Sequence, residues 1–564
     1  MILVALGICT FFPALSTPRF LDDYLQALMI DGSYPVPRSP LNLYDFIDES
    51  DRALFSEHGL LPWWAHPELK LRHLRPLSSA LMWLEHGVLK LDMVLRHVHS
   101  FAWWLACVFA ARALFRRLVS ERAALLATLA FAYAPCHALP LGWIANRNAL
   151  LSLAFGVWGL GAYLEWRTRL RWRACVASFA LFSAAILAGE YALCFAGYVT
   201  AIELTRRGEP LARRALALLP FALPTALYLG VRHALGYGSV GSGFYVDPLD
   251  EPWTFLRLAP FRLAAQLGQG WLTINPETWL FDDGLSWLIY PVLLLAALAI
   301  GALLRRTYAA LPEATRLNGS WLLLGSGLAI VPVLPTFPSA RLMGIALIGI
   351  AANVGLILEH AWFPREPALR SRSMDYAGLL AIVLGFIHFV HGPVSAWLAA
   401  SQVQRDASRF ASDVTWIGKR LHELDTSEVV VLRGGVDAFF GPFALVSQGG
   451  PWSRWDILSE PGHLLTLRPD EQTLELVTPA HSGLFPTGGL NLFRAPKPRI
   501  RAGDEIQTKT FALRVVSVGK AGPTRARVAF HRPLEQGRLW VWRQNGRIHE
   551  LEPLEVGFGL PSDP

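Results

Sequence analysis

Eleven apolar stretches, each near the length a helix needs to cross a bilayer, constrain this chain more than any motif in it. They run near residues 1–17, 96–115, 123–143, 148–165, 174–189, 190–204, 215–231, 285–304, 320–337, 342–360 and 376–396. About 20 apolar residues span the hydrocarbon core as a helix, which satisfies its own backbone hydrogen bonds where no water can. The fold class expected over 1–400 is therefore an all-α polytopic membrane domain of about eleven transmembrane helices. The run 174–204 is interrupted by Gly189-Glu190, which favours two short helices over one long tilted helix.

Charge sets the orientation. The formal net charge is +7, and the arginines gather between apolar segments rather than in a basic patch interleaved with aromatics. That placement points to topology, not nucleic acid. Arg116-Arg117 with Arg122; Arg167, Arg169, Arg171 and Arg173; Arg206-Arg207 with Arg213-Arg214; Arg305-Arg306; and Arg365, Arg370 and Arg372 follow alternate segments. All five clusters fall on one side only if residue 1 is cytoplasmic and all eleven spans exist. The first loop, 18–95, the short loops around Arg147, Glu190 and Arg341, and everything beyond 400 then share the outer face. The start Met1-Ile2-Leu3-Val4 lacks the basic region of a cleaved signal, and 1–17 is short for a crossing. This leaves room for a true start further upstream. Cys9, Cys107, Cys136, Cys175 and Cys194 all lie in apolar segments, at neither metal-ligand nor disulfide spacing.

The first loop carries its own structure. After Arg75-Pro76, the apolar residues Leu77, Leu81, Leu84, Val88 and Leu91 recur at helical spacing, with Pro76 suited to a first turn. A helix lying in the membrane interface is expected there. A second such helix is expected near 254–271. As a span it would place Arg257 and Arg262 in hydrocarbon, at about 2.5–3.5 kcal/mol each. Beyond 401 the composition is that of a soluble domain, mixed α/β or β-rich. A helix is expected near 405–424 and strands near 428–432, 473–478, 511–518, 525–530 and 538–542.

Several polar residues stand out against this apolar background. Asp22-Asp23 directly follows the first segment, at the bilayer edge. A carboxylate there can take a proton from an acceptor hydroxyl beside a lipid-borne donor, or merely open a helix. Arg75, Arg147 and Arg341 lie at outer ends of segments, against the usual charge bias. They suit the phosphate of a polyprenyl carrier, or snorkel to lipid headgroups. Glu190 sits at an outer turn, as a functional acid or as the partner of one of those arginines. His137 is either a substrate contact or a satisfied interface residue. His97 and His99 have no carboxylate at ligand spacing, so no metal is assigned. No cofactor is expected, with a divalent metal left open.

Taken in order, Asp22-Asp23, Arg75-Pro76-Leu77-Ser78, Pro135-Cys136-His137, Trp143-Ile144-Ala145-Asn146-Arg147, Gly189-Glu190-Tyr191-Ala192 and Arg341 resemble the integral-membrane GT-C glycosyltransferases. The resemblance is greatest to the O-mannosyltransferase-like branch whose animal members carry tetratricopeptide repeats, which this chain lacks. It covers roughly 1–400. It implies a polyprenyl-phosphate sugar donor and inversion at the anomeric carbon, with Asp22 as catalytic base and Asp23 as its helper. Arg147, Glu190 and Arg341 match recurrent positions of the family. The chain departs from the family pattern at Leu139, Ala149, Gly189 and Ala340, where the family carries charged residues.

The expected function is an inverting hexosyl- or pentosyltransferase that moves a sugar from a polyprenyl-phosphate donor to an acceptor hydroxyl on a glycan, lipid or protein. Asp22 and Asp23 would be catalytic. Arg75, Arg147 and Arg341 would bind the donor phosphate, with Glu190 and His137 in support. The arginine-rich, lysine-poor composition suits the inner membrane of a bacterium, with the domain 401–564 in the periplasm. The rivals are a lipid or polysaccharide flippase, for which broken helices and midplane charges are expected, and an inactive assembly subunit.

Overall fold

Small residues decide how the apolar segments of this chain pack. In the computed structural model, which describes residues 2–280, 283–363, 376–460, 463–486, 491–544, 546–552 and 559–560, helix Leu347–Trp362 runs against two neighbours, Glu121–Ala132 and Glu313–Ile330. A Cβ on Gly355 would lie 2.3 Å from the carbonyl oxygen of Ala123, and one on Gly349 would lie 2.0 Å from that of Leu322. Neither approach tolerates a side chain. This is the close backbone packing that small residues permit between membrane helices.

All eleven expected segments contain helix. Four helices are long and apolar enough to cross a membrane by themselves: Met93–Leu118, Ile144–Arg169, Leu285–Ala310 and Tyr376–Glu423. Two bent pairs raise the number to six. Glu121–Ala132 with Pro135–Gly142 bends by 47°, and Leu211–Ala217 with Leu219–Ala234 bends by 55°. Pro135 and Pro220, at or next to these breaks, lack the N–H that would continue the hydrogen-bond ladder. Trp172–Ala188 and Leu347–Trp362 are apolar but short, with 17 and 16 residues, so a figure of eleven spans is not established. The chain is a multi-pass membrane protein. The arginines at 365, 370 and 372 lie outside the described residues.

Helix Pro252–Leu272 leaves Trp253, Leu256 and Phe261 exposed, while its C-terminal half is buried and the helix packs against Leu347–Trp362 and the turn Ala340–Met343. Arg262 is buried, and its Nη1 donates to the carbonyls of Leu334 and Pro335 at 2.7 and 2.8 Å. Two carbonyl acceptors offset part of the cost of that burial, a remedy that charge counting along the chain does not reveal.

The chain divides into two compact units. One comprises Met1–Thr17, Leu74–Leu235 and Asp247–Arg405; the other comprises Pro18–His73, Gly236–Val246 and Asp406–Pro564. Most of the first loop thus belongs with the C-terminal residues. Within that second unit Trp63 Nε1 donates to Leu458 O at 3.0 Å, the His66 N–H donates to Phe493 O at 2.8 Å, and Trp64 stacks on Phe485. All five strands expected beyond 401 are present. A four-stranded sheet runs in the order Arg547–Glu550, Leu539–Gln544, Glu428–Arg433, Arg454–Ile457, with the last three parallel. A six-stranded antiparallel sheet is centred on Thr473–Val477, Gly522–Phe530 and Phe511–Gly519. A three-stranded sheet joins Asp45–Ile47, Lys70–Arg72 and Gly238–Val240. The domain is mixed α/β, as its composition implies.

Candidate functional site

In the first unit, Pro76 opens the helix Pro76–Trp83, which widens into a π-turn over Leu84–Val88. Such turns recur at functional sites, and this one turns Glu85 inward until the residue is 1% exposed. Arg147 ends the 3-10 turn Ile144–Arg147 and is 4% exposed. Its Nη1 donates to Glu85 Oε1, and His99 Nδ1 donates to the same oxygen. Trp103 Nε1 donates to His99 Nε2 at 3.0 Å, which assigns the remaining ring proton to Nδ1. Arg341 lies in the turn Ala340–Met343, with its guanidinium 5.3 Å from the Trp143 ring centroid and Nη1 3.4 Å from Asn146 Oδ1.

What these groups leave unsatisfied defines the site. Among the described residues, Arg147 Nε and Nη2, Arg341 Nε, Asn146 Nδ2 and Glu85 Oε2 are buried without a hydrogen-bond partner. A buried guanidinium short of acceptors is costly. Four of the five unpartnered atoms are donors, so the deficit is one of acceptors. An oxyanion carries acceptors of the kind these donors lack.

The other expected residues have different surroundings. Arg75 forms a two-pronged ion pair with Glu190, Nε to Oε2 at 3.0 Å and Nη2 to Oε1 at 2.6 Å. Of the two readings of Glu190, pairing with an arginine is the one present. His137 is buried, with Nε2 bonded to Phe131 O at 2.9 Å and its ring set edge-on to Phe131 and Phe11. That is a packing role. His97 is likewise held between the carbonyls of Leu141 and Thr17.

Asp22 and Asp23 belong to the second unit and open the helix Asp22–Asp31. Asp23 is buried and accepts from the Phe20 N–H at 3.0 Å, while Asp22 stays half-buried. Leu21, just before them, has φ of 45°, a positive-φ backbone rare for a residue other than glycine. Strain of this kind gathers at functional sites.

Sequence reasoning missed three groups. Glu85 was legible as an acid inside an apolar helical pattern. Gln266 and Gln269 lie one turn apart on Pro252–Leu272, are buried, and keep amide atoms without partners among the described residues. No spacing rule singles them out. Beside them, Leu267, Trp271, Leu293, Ile300 and Leu304 help to line an apolar cavity of about 370 Å3.

No family model and no curated protein matches the chain. Among solved structures it is similar to ArnT from Cupriavidus metallidurans bound to undecaprenyl phosphate, with 15% identity over 79% of this chain and 84% of that one, and a TM-score of 0.40. It is also similar to the apo oligosaccharyltransferase of Archaeoglobus fulgidus, with 12% identity over 81% of this chain and a TM-score of 0.45. The same enzyme tethered to an acceptor peptide containing the NVT sequon gives 11% identity and a TM-score of 0.41. The chain spans 64% of the length of that oligosaccharyltransferase. These likenesses are too distant to carry a functional argument, which rests on the buried arginine donors.

Proposed function

We propose that the chain is an inverting membrane glycosyltransferase that moves a sugar from a polyprenyl-phosphate donor to an acceptor hydroxyl on the outer face. The observation that carries this reading is the set of buried, unpartnered donors on Arg147, Arg341 and Asn146 inside a membrane-type helical unit. A phosphate that arrives on a lipid fills that deficit, and a free anion has no comparable route into an apolar environment. The apolar cavity of about 370 Å3 suits part of an isoprenoid chain.

In the reaction, the acceptor oxygen attacks the anomeric carbon, and the bond from that carbon to the phosphate oxygen breaks. Its electron pair leaves with the polyprenyl phosphate. Arg147 and Arg341 stabilise the charge that develops there, and Glu85 with His99 holds Arg147 in place. Asp22, the less enclosed of the two aspartates, takes the hydroxyl proton. Asp23, bound to the Phe20 N–H, fixes the start of the helix that carries the base. Arg75 and Glu190 largely neutralise one another and support this arrangement rather than grip phosphate.

The test is a transfer assay with purified protein and a panel of polyprenyl-phosphate sugars. Transfer by the parent and its loss in Asp22→Asn and in Arg147→Ala support the reading. Undiminished transfer in both variants overturns it.

A further inference from the structure

The second unit contains a cavity of about 320 Å3 that the transfer chemistry does not use. Besides Phe485, Pro486 and Asn491, two pieces of chain line it. One is the hairpin between Phe511–Gly519 and Gly522–Phe530, where Gly519 pairs with Gly522 and Lys520-Ala521 makes the tip. Gly522 has φ of 111°, which glycine adopts without strain. The other is the stretch from Arg494 to Ile500. Arg494 Nη1 donates to Trp64 O at 2.9 Å and its Nη2 donates to Pro498 O at 2.6 Å, while His66 Nε2 donates to Lys497 O at 2.9 Å.

The lining is one-sided in charge. Arg494, Arg499 and Lys520 contribute to it, and no described Asp or Glu does. Arg494 is committed to backbone carbonyls, but Arg499 and Lys520 are exposed and have no carboxylate partner among the described residues. Arg494 also feels the charge of Asp504, so the positive potential at the concavity comes from Arg499 and Lys520. Ile500, Val518 and the largely buried Pro523 add an apolar surface to the lining. A bare anion would use the charges and leave that surface wet. The volume falls in the range of small-molecule sites, roughly 300–1,000 Å3. A sugar ring that bears a carboxylate matches both halves, with an anionic group for the cations and a C–H face for the apolar floor.

We propose that this cavity binds an acidic saccharide, with its carboxylate on Arg499 and Lys520 and its ring against Ile500, Val518 and Pro523. The role follows from the transferase reading: the saccharide is the acceptor, or the part of it that this domain retains. Binding itself needs no turnover.

The experiment uses the full-length protein in detergent and a fluorescent tetragalacturonate, with maltotetraose as the neutral match and inorganic phosphate as a competitor. Saturable binding of the acidic tetrasaccharide, weakened by added salt, is expected, with little for the neutral one. Arg499→Gln and Lys520→Gln should each weaken it about tenfold or more, and Arg499→Lys should recover part of the loss. Equal binding of the neutral saccharide overturns the proposal, as does parental affinity in both glutamine variants. Competition by phosphate at the same concentration as the saccharide also overturns it, since the site then reads only charge. Binding that persists in a protein unable to transfer any sugar would overturn the transferase reading and leave this site standing. Transfer without saccharide binding would do the reverse.

Discussion

Arg147 and Glu85, 62 residues apart in the chain, form a buried ion pair through a single oxygen, Glu85 Oε1, which His99 shares. The pair uses one guanidinium nitrogen and leaves Nε and Nη2 unpartnered. Arg147→Ala should therefore weaken binding of polyprenyl phosphate about ten- to a hundredfold, the worth of a charge-assisted contact of roughly 1.5–3 kcal/mol. Arg341→Ala should do the same, and Glu85→Gln should cost less because the arginine keeps a neutral acceptor. A lipid-binding titration checks all three, and unchanged affinity in both arginine variants would assign these side chains to packing.

Asp22→Asn keeps the shape of the side chain and removes the base. Turnover should fall by about 10²–10⁴-fold with donor binding largely retained. Asp23→Asn should cost less, since its carboxylate accepts from the Phe20 N–H. The reverse order of damage would exchange the two roles, and full activity in the double variant would remove the aspartates from the mechanism.

Arg167 has a second occupation besides topology. Its side chain is buried with Glu203, meeting both carboxylate oxygens at 2.8 Å, and Tyr163 donates to Glu203 at 2.7 Å. Glu203→Ala strands a buried cation, a change that typically costs about 3–5 kcal/mol. Glu209, also bonded to Arg167 at 2.7 Å, should soften that loss. Thermal inactivation in detergent should shift downward in Glu203→Ala and further in Glu203→Ala, Glu209→Ala, with donor affinity at low temperature unchanged.

Glu460 makes one part of the soluble domain sensitive to pH. Burial, and secondarily the charge of Asp437, push its carboxyl from an ordinary 4.5 up to about 8. Below pH 4.5 the group is neutral whether the domain is folded or unfolded, and it costs nothing. Between 4.5 and 8 the folded form keeps a proton that the unfolded form releases, so stability falls as pH rises and levels off above 8. Each tenfold change in proton affinity is worth about 1.4 kcal/mol. Amide exchange in Arg454–Ile457, corrected for intrinsic rate, should show more opening at high pH in the parent, and Glu460→Gln should flatten that dependence.

The orientation set by the arginine clusters predicts that single cysteines at His58 and Glu505 react with an impermeant thiol reagent from outside intact cells. Those at Thr168 and Gly208 should react only after permeabilisation. Cys9 is exposed and must be replaced first. Labelling of the 505 site only after permeabilisation would reverse the topology and place Asp22 on the wrong face for the proposed chemistry.

Much of the fold was legible because its signals are local. Apolar runs of bilayer length marked helices, Arg75-Pro76 marked a helix start, and short runs separated by Gly/Pro turns marked the strands from Glu428 to Gln544. Arg147 and Arg341 could be suspected because a charge at the end of an apolar segment violates a bias that depends on sequence alone. The span number was less secure, since Pro135 and Pro220 bend helices whose hydropathy cannot tell a broken span from two short ones.

The sequence by itself determined that this chain enters a membrane many times, carries a separate mixed α/β region, and sets an acidic pair and several arginines at segment ends. Only the tertiary structure decided which of those charges neutralise each other. Arg75 and Glu190 are 115 positions apart and pair through two prongs, whereas Arg147 is left with two unpartnered nitrogens beside Glu85. It also decided that Arg262 is buried rather than at the surface, that His137 packs between phenylalanines, and that residues 18–73 join the C-terminal unit. The physical reason is common to all of these. Ion pairing and desolvation act over a few ångströms in space, while the patterns a sequence displays are periodic over a few residues along the chain.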